Sequence, residues 1–522
     1  MEKAMTTDDI IKKIIARIKP QWKAAFWGCF LIGIFTYMYF MTGNFLTLDS
    51  MWNLYSDQDM ITSGRQFLTY ACGISSFYNL PWINGVLAIL FLALSSVVVV
   101  DSFDIESRVG AVLVGGLLVT FPAVASTFCY MYTVDGYMLA VLLAAVAFWV
   151  TDKKKNGYLA GIILLGISIG IYQAYLSFTI ILCILRLLID LVEKDSIKEI
   201  WYKIWRYVVM GIGSYIFYVI TLKLMLKLKD VEMSGYQGTD RIGSFAIGEL
   251  PAGLIEAVKS FGRFALPSNR VLYGVGFSNY SVLIIAVLTV ILFLIFFIQN
   301  KRYQNIWRIV FAIVLVCTIP IGMNIVNVLS PHTFFHLLMR YPWVLFFVFT
   351  IVLVEKMPVT DKRWRAFLQK GLVLVTLVTT IGLIFWFGVR ANIVAFNMNE
   401  KYEKTYAMCV RMVDRIEQTE GYTTDTKIAV LGGGLSEWNY PSTDITQHDL
   451  TGYWGVYGTM CISDTGSFQE FAKHYLNVTL NTASATEHVE IAQTEAFMQM
   501  PNFPAEGSVG FIEDVLVIKW NG

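Results

Sequence analysis

Charge is what this sequence has least of. Only 15% of its 522 residues are Asp, Glu, Lys or Arg, against 56% hydrophobic, and the mean hydropathy is +0.58. A soluble domain carries about 25% charged residues, so most of this chain is not built to face water. The net charge of +1 leaves no electrostatic case for a nucleic-acid partner. The seven cysteines lie far apart, without CxxC or Cys/His spacing, which argues against a zinc site and a disulfide framework. The apolar runs have almost no internal charge. Ion-coupled carriers need such charges, although each costs roughly 2.5–3.5 kcal/mol at mid-bilayer. Halves of matching hydropathy, the mark of inverted-repeat transporters, are also missing. No small-residue cleavage site ends the first apolar run, which therefore reads as an uncleaved span.

What is present is a series of long apolar runs. They predict a mainly α fold, a polytopic transmembrane helical bundle of about eleven spans. The spans lie near 24–42, 83–100, 108–128, 135–150, 157–171, 174–191, 207–226, 281–299, 308–329, 335–354 and 370–389. Residues 157–191 are long for one span and short for two. The charged stretches TDKKKN (151–156) and EKDSIKEIWYK (193–203) belong on one side, so the chain crosses twice between them and turns near Tyr172 and Gln173.

Residues 1–23 are basic and amphipathic (Lys12, Lys13, Arg17, Lys19, Lys23) and predict a cytoplasmic surface helix. Lys153, Lys154, Lys155, Lys301, Arg302, Arg308, Lys356, Lys362, Arg363 and Arg365 fall on the same side, which the positive-inside rule makes cytoplasmic. The transmembrane domain is then 24–390, with external loops at 43–82 and 228–280, and 391–522 is an extracytoplasmic domain. A helix near 398–418 and the strand candidates KIAVLGG and VLVIKW give that domain a small α/β character. The glycines at 432–434 lack dinucleotide-loop spacing and read as a turn. The aromatic first loop (Trp52, Tyr55, Phe67, Tyr70, Phe77, Tyr78, Trp82) and residues 246–264 suit short helices lying in the membrane interface.

Polar residues gather at the external face: Asp49, Asp57, Asp59 and Arg65 in the first loop, Asp135 opening a span, and Tyr172 and Gln173 at a helix break. His332, His336 and Arg340 recur every four residues, as on one helix face. Each has a plain reading as well. Asp49 and Asp135 suit helix N-caps, Asp57 and Asp59 suit solvated loop positions, and Arg340 suits a side chain snorkelling to headgroups. Arg186 and Asp190 look like a structural pair at the cytoplasmic end.

The order of three segments carries a resemblance. LDSMWNLYSDQDMITSGRQF (48–67) follows the first span, then come TVDGYMLA (133–140) and IYQAYLSF (171–178). This order resembles the serotype-converting bacterial glucosyltransferases of the GtrII type, which are similar to the wider GT-C superfamily. Where that family commonly shows two adjacent acids, this chain has Asp49 and Ser50. The departure speaks against a metal bridged there, so no cofactor is indicated, a divalent cation remaining an alternative.

The resemblance implies a multi-pass enzyme of the bacterial plasma membrane with a GT-C-like bundle. It would move a hexose such as glucose, with inversion, from polyprenyl phosphate to a surface polysaccharide on the external face. It further implies Asp49 as the base, with Asp135 the second catalytic acid. Arg65, Arg340 and His336 would hold the donor phosphate, and Tyr172, Gln173, Asp57 and Asp135 would orient the sugar. The alternatives are another polyprenyl-linked glycan polymerase or ligase, and a lipid or oligosaccharide flippase. The first usually has a late external loop with Arg and His, but 228–280 holds Arg241, Arg263 and Arg270 and no His. The second needs a polar path that the nearly charge-free spans do not offer.

Overall fold

The computed structural model describes residues 6–43, 45–235, 247–266, 277–329, 335–357, 363–433, 453, 458 and 460–520. His332, Arg241, Arg270 and Lys362 lie outside them. The chain forms two compact units, one of residues 1–41 and 56–392, the other of 42–55 and 393–522.

The first unit is helical. It opens with α1 (Thr7–Arg17) and α2 (Pro20–Thr42). The short α3 (Ser50–Asn53) belongs to the second unit. Next come α4 (Leu68–Phe77), α5 (Pro81–Ser102), α6 (Arg108–Thr120), α7 (Pro122–Phe128), α8 (Val134–Lys153), α9 (Gly157–Ile171), α10 (Leu176–Glu193) and α11 (Ile197–Lys229). They are followed by α12 (Leu250–Ala265), α13 (Phe277–Gln299), α14 (Ile306–Met323), α15 (Ile325–Leu329), α16 (Val344–Glu355) and α17 (Arg363–Gln418).

Among the described residues, nine helical segments are long and apolar enough to cross a membrane. A tenth is α6 with α7, bent by 45°. Pro122 causes that bend: the residue before a proline is pushed out of helical geometry, and Phe121 has ψ 137°. The shorter apolar α9 occupies the remaining expected position. Its break from α10 falls at Tyr172, in extended geometry (φ −156°, ψ 116°). All of α10 but two residues is buried, so it is the central helix of the unit.

Two expectations about helices are corrected. Residues 335–354 are not one α-helix, because Leu337–Trp343 is a 3-10 helix and His336 precedes it with ψ 156°. Pro342 lacks the N–H that an α turn would need there. His336 and Arg340 therefore do not share an α-helical face. The expected helices near 370–389 and 398–418 are one helix, α17, which contains the unit boundary at Asn392. Of the expected interfacial segments, α4 exposes Tyr70, Ile74 and Phe77, and α12 exposes Leu254, Ile255 and Val258. The opposite face of α12 buries Gly253, Ala257, Ser260 and Phe264.

The second unit is the α/β domain. Its sheet has the order β2-β1-β4-β3, with β1 (Lys427–Leu431), β2 (Asn481–Thr482), β3 (Val509–Ile512) and β4 (Val515–Lys519). β1 runs parallel to β2 and β4, while β3 and β4 form an antiparallel pair. Both expected strands are present, and after β1 the chain turns at Gly432 with φ +118°, a geometry open to glycine. Alternation splits the sheet into two faces. Ile428, Val430, Leu516 and Ile518 face one core with the end of α17 and α18 (Thr465–Phe471). Ala429, Val515 and Val517 face another, with Ile491 of α19 (Ala485–Ala492) and Phe497 of α20 (Glu495–Gln499).

Residues 42–55, expected as part of the first external loop, fold with the tail. Their apolar side chains Leu46 and Met51 are buried in the core beneath Ile428 and Leu516.

Candidate active site

The first-loop arginine sits in a tight turn. Met60 and Arg65 form an antiparallel bridge, and Gly64 closes it with φ +73°. Only a residue without a Cβ adopts that angle at no cost. Arg65 Nη1 donates to the Tyr137 hydroxyl at 3.0 Å, and the guanidinium lies 5.0 Å from the Tyr172 ring centre. Tyr172 in turn stacks on Tyr137 at 4.5 Å. The α8 start and the α9–α10 break thus grip one cation from two sides.

Gln173 holds this turn from below. Its Nε2 donates to the Gly64 carbonyl at 2.8 Å and the Ser63 carbonyl at 3.2 Å. The Tyr218 hydroxyl of α11 also donates to Gly64, at 3.0 Å. With its amide spent on the backbone, Gln173 stands as a clamp on the arginine turn. Asp57 is exposed, and its Oδ1 accepts from the Asp59 amide at 3.2 Å. Asp59 pairs with Lys229.

Asp135 lies in the first turn of α8 and is 2% exposed. Ser75 Oγ of α4 donates to its Oδ2 at 2.6 Å. Asp135 therefore ties α4 to the helix start that also carries Tyr137.

An aromatic series continues from Tyr172 to Tyr175 (5.5 Å) and Tyr341 (6.4 Å), reaching the 3-10 helix that bears Arg340. Arg340 Nη1 donates to Asn324 Oδ1 at 2.7 Å, and Nη2 donates to Ser260 Oγ at 2.8 Å. The Phe335 and Phe264 rings lie 4.2 and 5.0 Å from the guanidinium. Among the described residues no carboxylate lies within ion-pair distance of it. Glu256 acts on it only at longer range and pairs with Arg263. His336 is partly buried and precedes the 3-10 helix that bears Arg340.

Asp49 belongs to the second unit. It is exposed and precedes α3, but its side chain makes no capping bond to that helix. Ser50, next to it, is 2% exposed and exchanges bonds with Thr47, its Oγ accepting from the Thr47 amide at 2.9 Å.

The glucosyl transferase GtrII family profile matches residues 38–353, more than half of the chain. The chain belongs to this family. No curated protein and no solved structure matches it. The stretch shared with the GtrII family contains Asp49, Arg65, Asp135, Tyr172, Gln173, His336 and Arg340, and stops before most of the tail. Within it the structure brings together Arg65, Tyr172 and Gln173, with Arg340 next to Tyr341. Sequence reasoning missed Tyr137, Tyr218, Ser260 and Asn324. Tyr137 had a signal, standing two residues after Asp135 in the TVDGYMLA segment. Tyr218 and Ser260 lie far from their arginines in sequence, Asn324 lies sixteen residues from Arg340, and only folding makes them partners. Among the described residues, no group of three His, Cys, Asp or Glu is set to hold a metal ion.

Proposed function

We propose that this GtrII-family glycosyltransferase transfers a hexose from a polyprenyl-phosphate donor to a surface glycan on the external face of the bacterial plasma membrane. In this reading the N-terminus is cytoplasmic and the tail domain extracytoplasmic. The observation that carries the donor assignment is Arg340, a cation offering donors between two phenyl rings, with no carboxylate among the described residues to neutralise it. A protein keeps such a charge at the cost of desolvation, and an anionic ligand repays it. A lipid phosphate beside apolar chains has that chemistry.

The reaction needs two services. As the acceptor hydroxyl attacks the anomeric carbon, its proton goes to a carboxylate, worth about 10²–10⁴-fold in rate. The sugar–phosphate bond breaks with its electron pair going to the phosphate, and fixed positive groups stabilise that growing charge. Asp49 takes the proton in this reading, and Asp135 is the second acid to test. Arg340, Arg65 and His336 hold the phosphate.

The test is single-turnover transfer by purified full-length protein in detergent. The donors compared are a short-chain polyprenyl-phosphate glucose and a nucleotide glucose. The acceptor is surface polysaccharide from cells lacking the protein. Transfer from the lipid-linked sugar alone is expected. Transfer from the nucleotide sugar at an equal rate would overturn the donor assignment.

A further inference from the structure

The tail domain shares its core with a piece of chain that lies more than three hundred residues upstream. Leu46 and Met51 are 4% and 5% exposed, within the same core as Met408, Met412, Phe468 and Trp520. Cys461 Sγ donates to the Leu46 carbonyl at 3.5 Å. Beyond α3, Tyr55 stacks on His474 with ring centres 4.8 Å apart. Gly466 packs so closely that a Cβ there would lie 2.7 Å from the Trp52 ring. Anchors thus stand on both sides of Asp49 at positions 46, 51, 52 and 55, and the Thr47–Ser50 pair stiffens the turn between them.

We infer that the tail domain is a positioning element for the first-loop acid Asp49. This inference rests on the proposed role of Asp49 as base. A four-residue helix is too short to hold its own shape in water. Its geometry is imposed by the tail core instead, and the orientation of the carboxylate with it. A displacement of about 1 Å in a reacting group costs on the order of a hundredfold in rate. The tail would therefore act on turnover through loop placement and leave donor affinity alone.

The experiment uses full-length protein and the same single-turnover assay. Met51→Ala and Tyr55→Ala remove two anchors, Met51→Leu refills one, and Ile491→Ala opens a comparable gap on the opposite face of the sheet. Met51→Ala and Tyr55→Ala are expected to lower kcat by about tenfold or more, with donor KM within about twofold of the parent. Met51→Leu should recover most of that loss, and Ile491→Ala should keep near-parental turnover. Equal losses in Ile491→Ala and Met51→Ala would reduce the tail to a general stability role and sink the inference. Should Met51→Ala not fold, the surface variant Tyr55→Ala decides. Asp49→Asn separates the two layers. Parental turnover in Asp49→Asn removes Asp49 from the mechanism. Slow turnover in Asp49→Asn, with parental rates in Met51→Ala and Tyr55→Ala, overturns the positioning role alone.

Discussion

At the Lys153 end of α8, Lys203 Nζ lies 2.6 Å from both Asp152 Oδ1 and Asp190 Oδ2, and Arg186 Nε lies 3.3 Å from Asp190 Oδ1. Asp104 adds contacts to Arg186 (3.1 Å) and Lys153 (2.8 Å), and Tyr207 donates to Asp152 at 2.6 Å. Three acids meet three bases there. Arg340, in the same unit, meets only neutral oxygens among the described residues, from Ser260 and Asn324. The two groups pay different tolls for leaving water. The first is complete without a ligand, so it closes the bundle. Among the described residues no acid completes the second, and the proposed donor phosphate would supply that charge.

The largest expected effect lies in the complete network. Lys203→Met strands Asp152 and Asp190 beside a single Arg186, and losing one partner of a buried pair costs about 3–5 kcal/mol. Thermal unfolding in detergent should show little folded protein. A melting temperature equal to the parent's would mean the network contributes nothing.

The next effect sharpens the contrast. Arg340→Gln should raise donor KM roughly tenfold to a hundredfold, from about 1.5–3 kcal/mol for a charged hydrogen bond. Its donor-free melting temperature should not fall, because an unneutralised cation leaves the interior. Arg340→Lys should recover part of the affinity, since a point charge cannot reproduce a planar fork. A drop in stability like that of Lys203→Met would break the comparison.

A smaller effect belongs to the arginine turn. Tyr218→Phe removes one bond to the Gly64 carbonyl and should cost about 0.5–1.5 kcal/mol of stability, with a modest loss of turnover. Full activity with Gln173→Ala as well would show that Arg65 needs no clamp.

The smallest belongs to a half-buried surface pair, Lys427–Glu487 in the tail, at 2.5 Å. Lys427 and the Ser484 cap hold the Glu487 carboxyl down to about 2, from 4.5. A depressed carboxyl stabilises the fold above pH 4.5, and that stability is lost as pH falls toward about 2. Solvent screens the pair, so the acid limb should be shallow. Glu487→Gln should flatten it in an acid titration of the tail's unfolding. An unchanged limb would assign it to other groups.

Much of the fold was legible because hydrophobic length is a local property. The runs at 83–100 and 207–226, the break at Tyr172 and the strands at 427 and 515 all announce themselves within a few turns of chain. Arg186 and Asp190 were legible as a pair because four residues make one helical turn. Lys203 and Asp152 were not, since their helices meet the pair only in the packed bundle. The expected shared face of His336 and Arg340 failed for a local reason, the proline at 342.

The sequence by itself determined that this chain crosses a membrane many times, that it ends in an α/β domain, and which acids and arginines are available. Only the tertiary structure decided what surrounds them. It gave the Asp49 segment to the tail because Leu46 and Met51 find their apolar partners there. It made the Gln173 side chain a clamp on the arginine turn, because its amide nitrogen meets two backbone carbonyls. Among the described residues it set Arg340 against a hydroxyl and an amide, because α12 and the end of α14 pack around it. Neutralisation, burial and anchoring are properties of neighbours in space, and a linear pattern does not specify them.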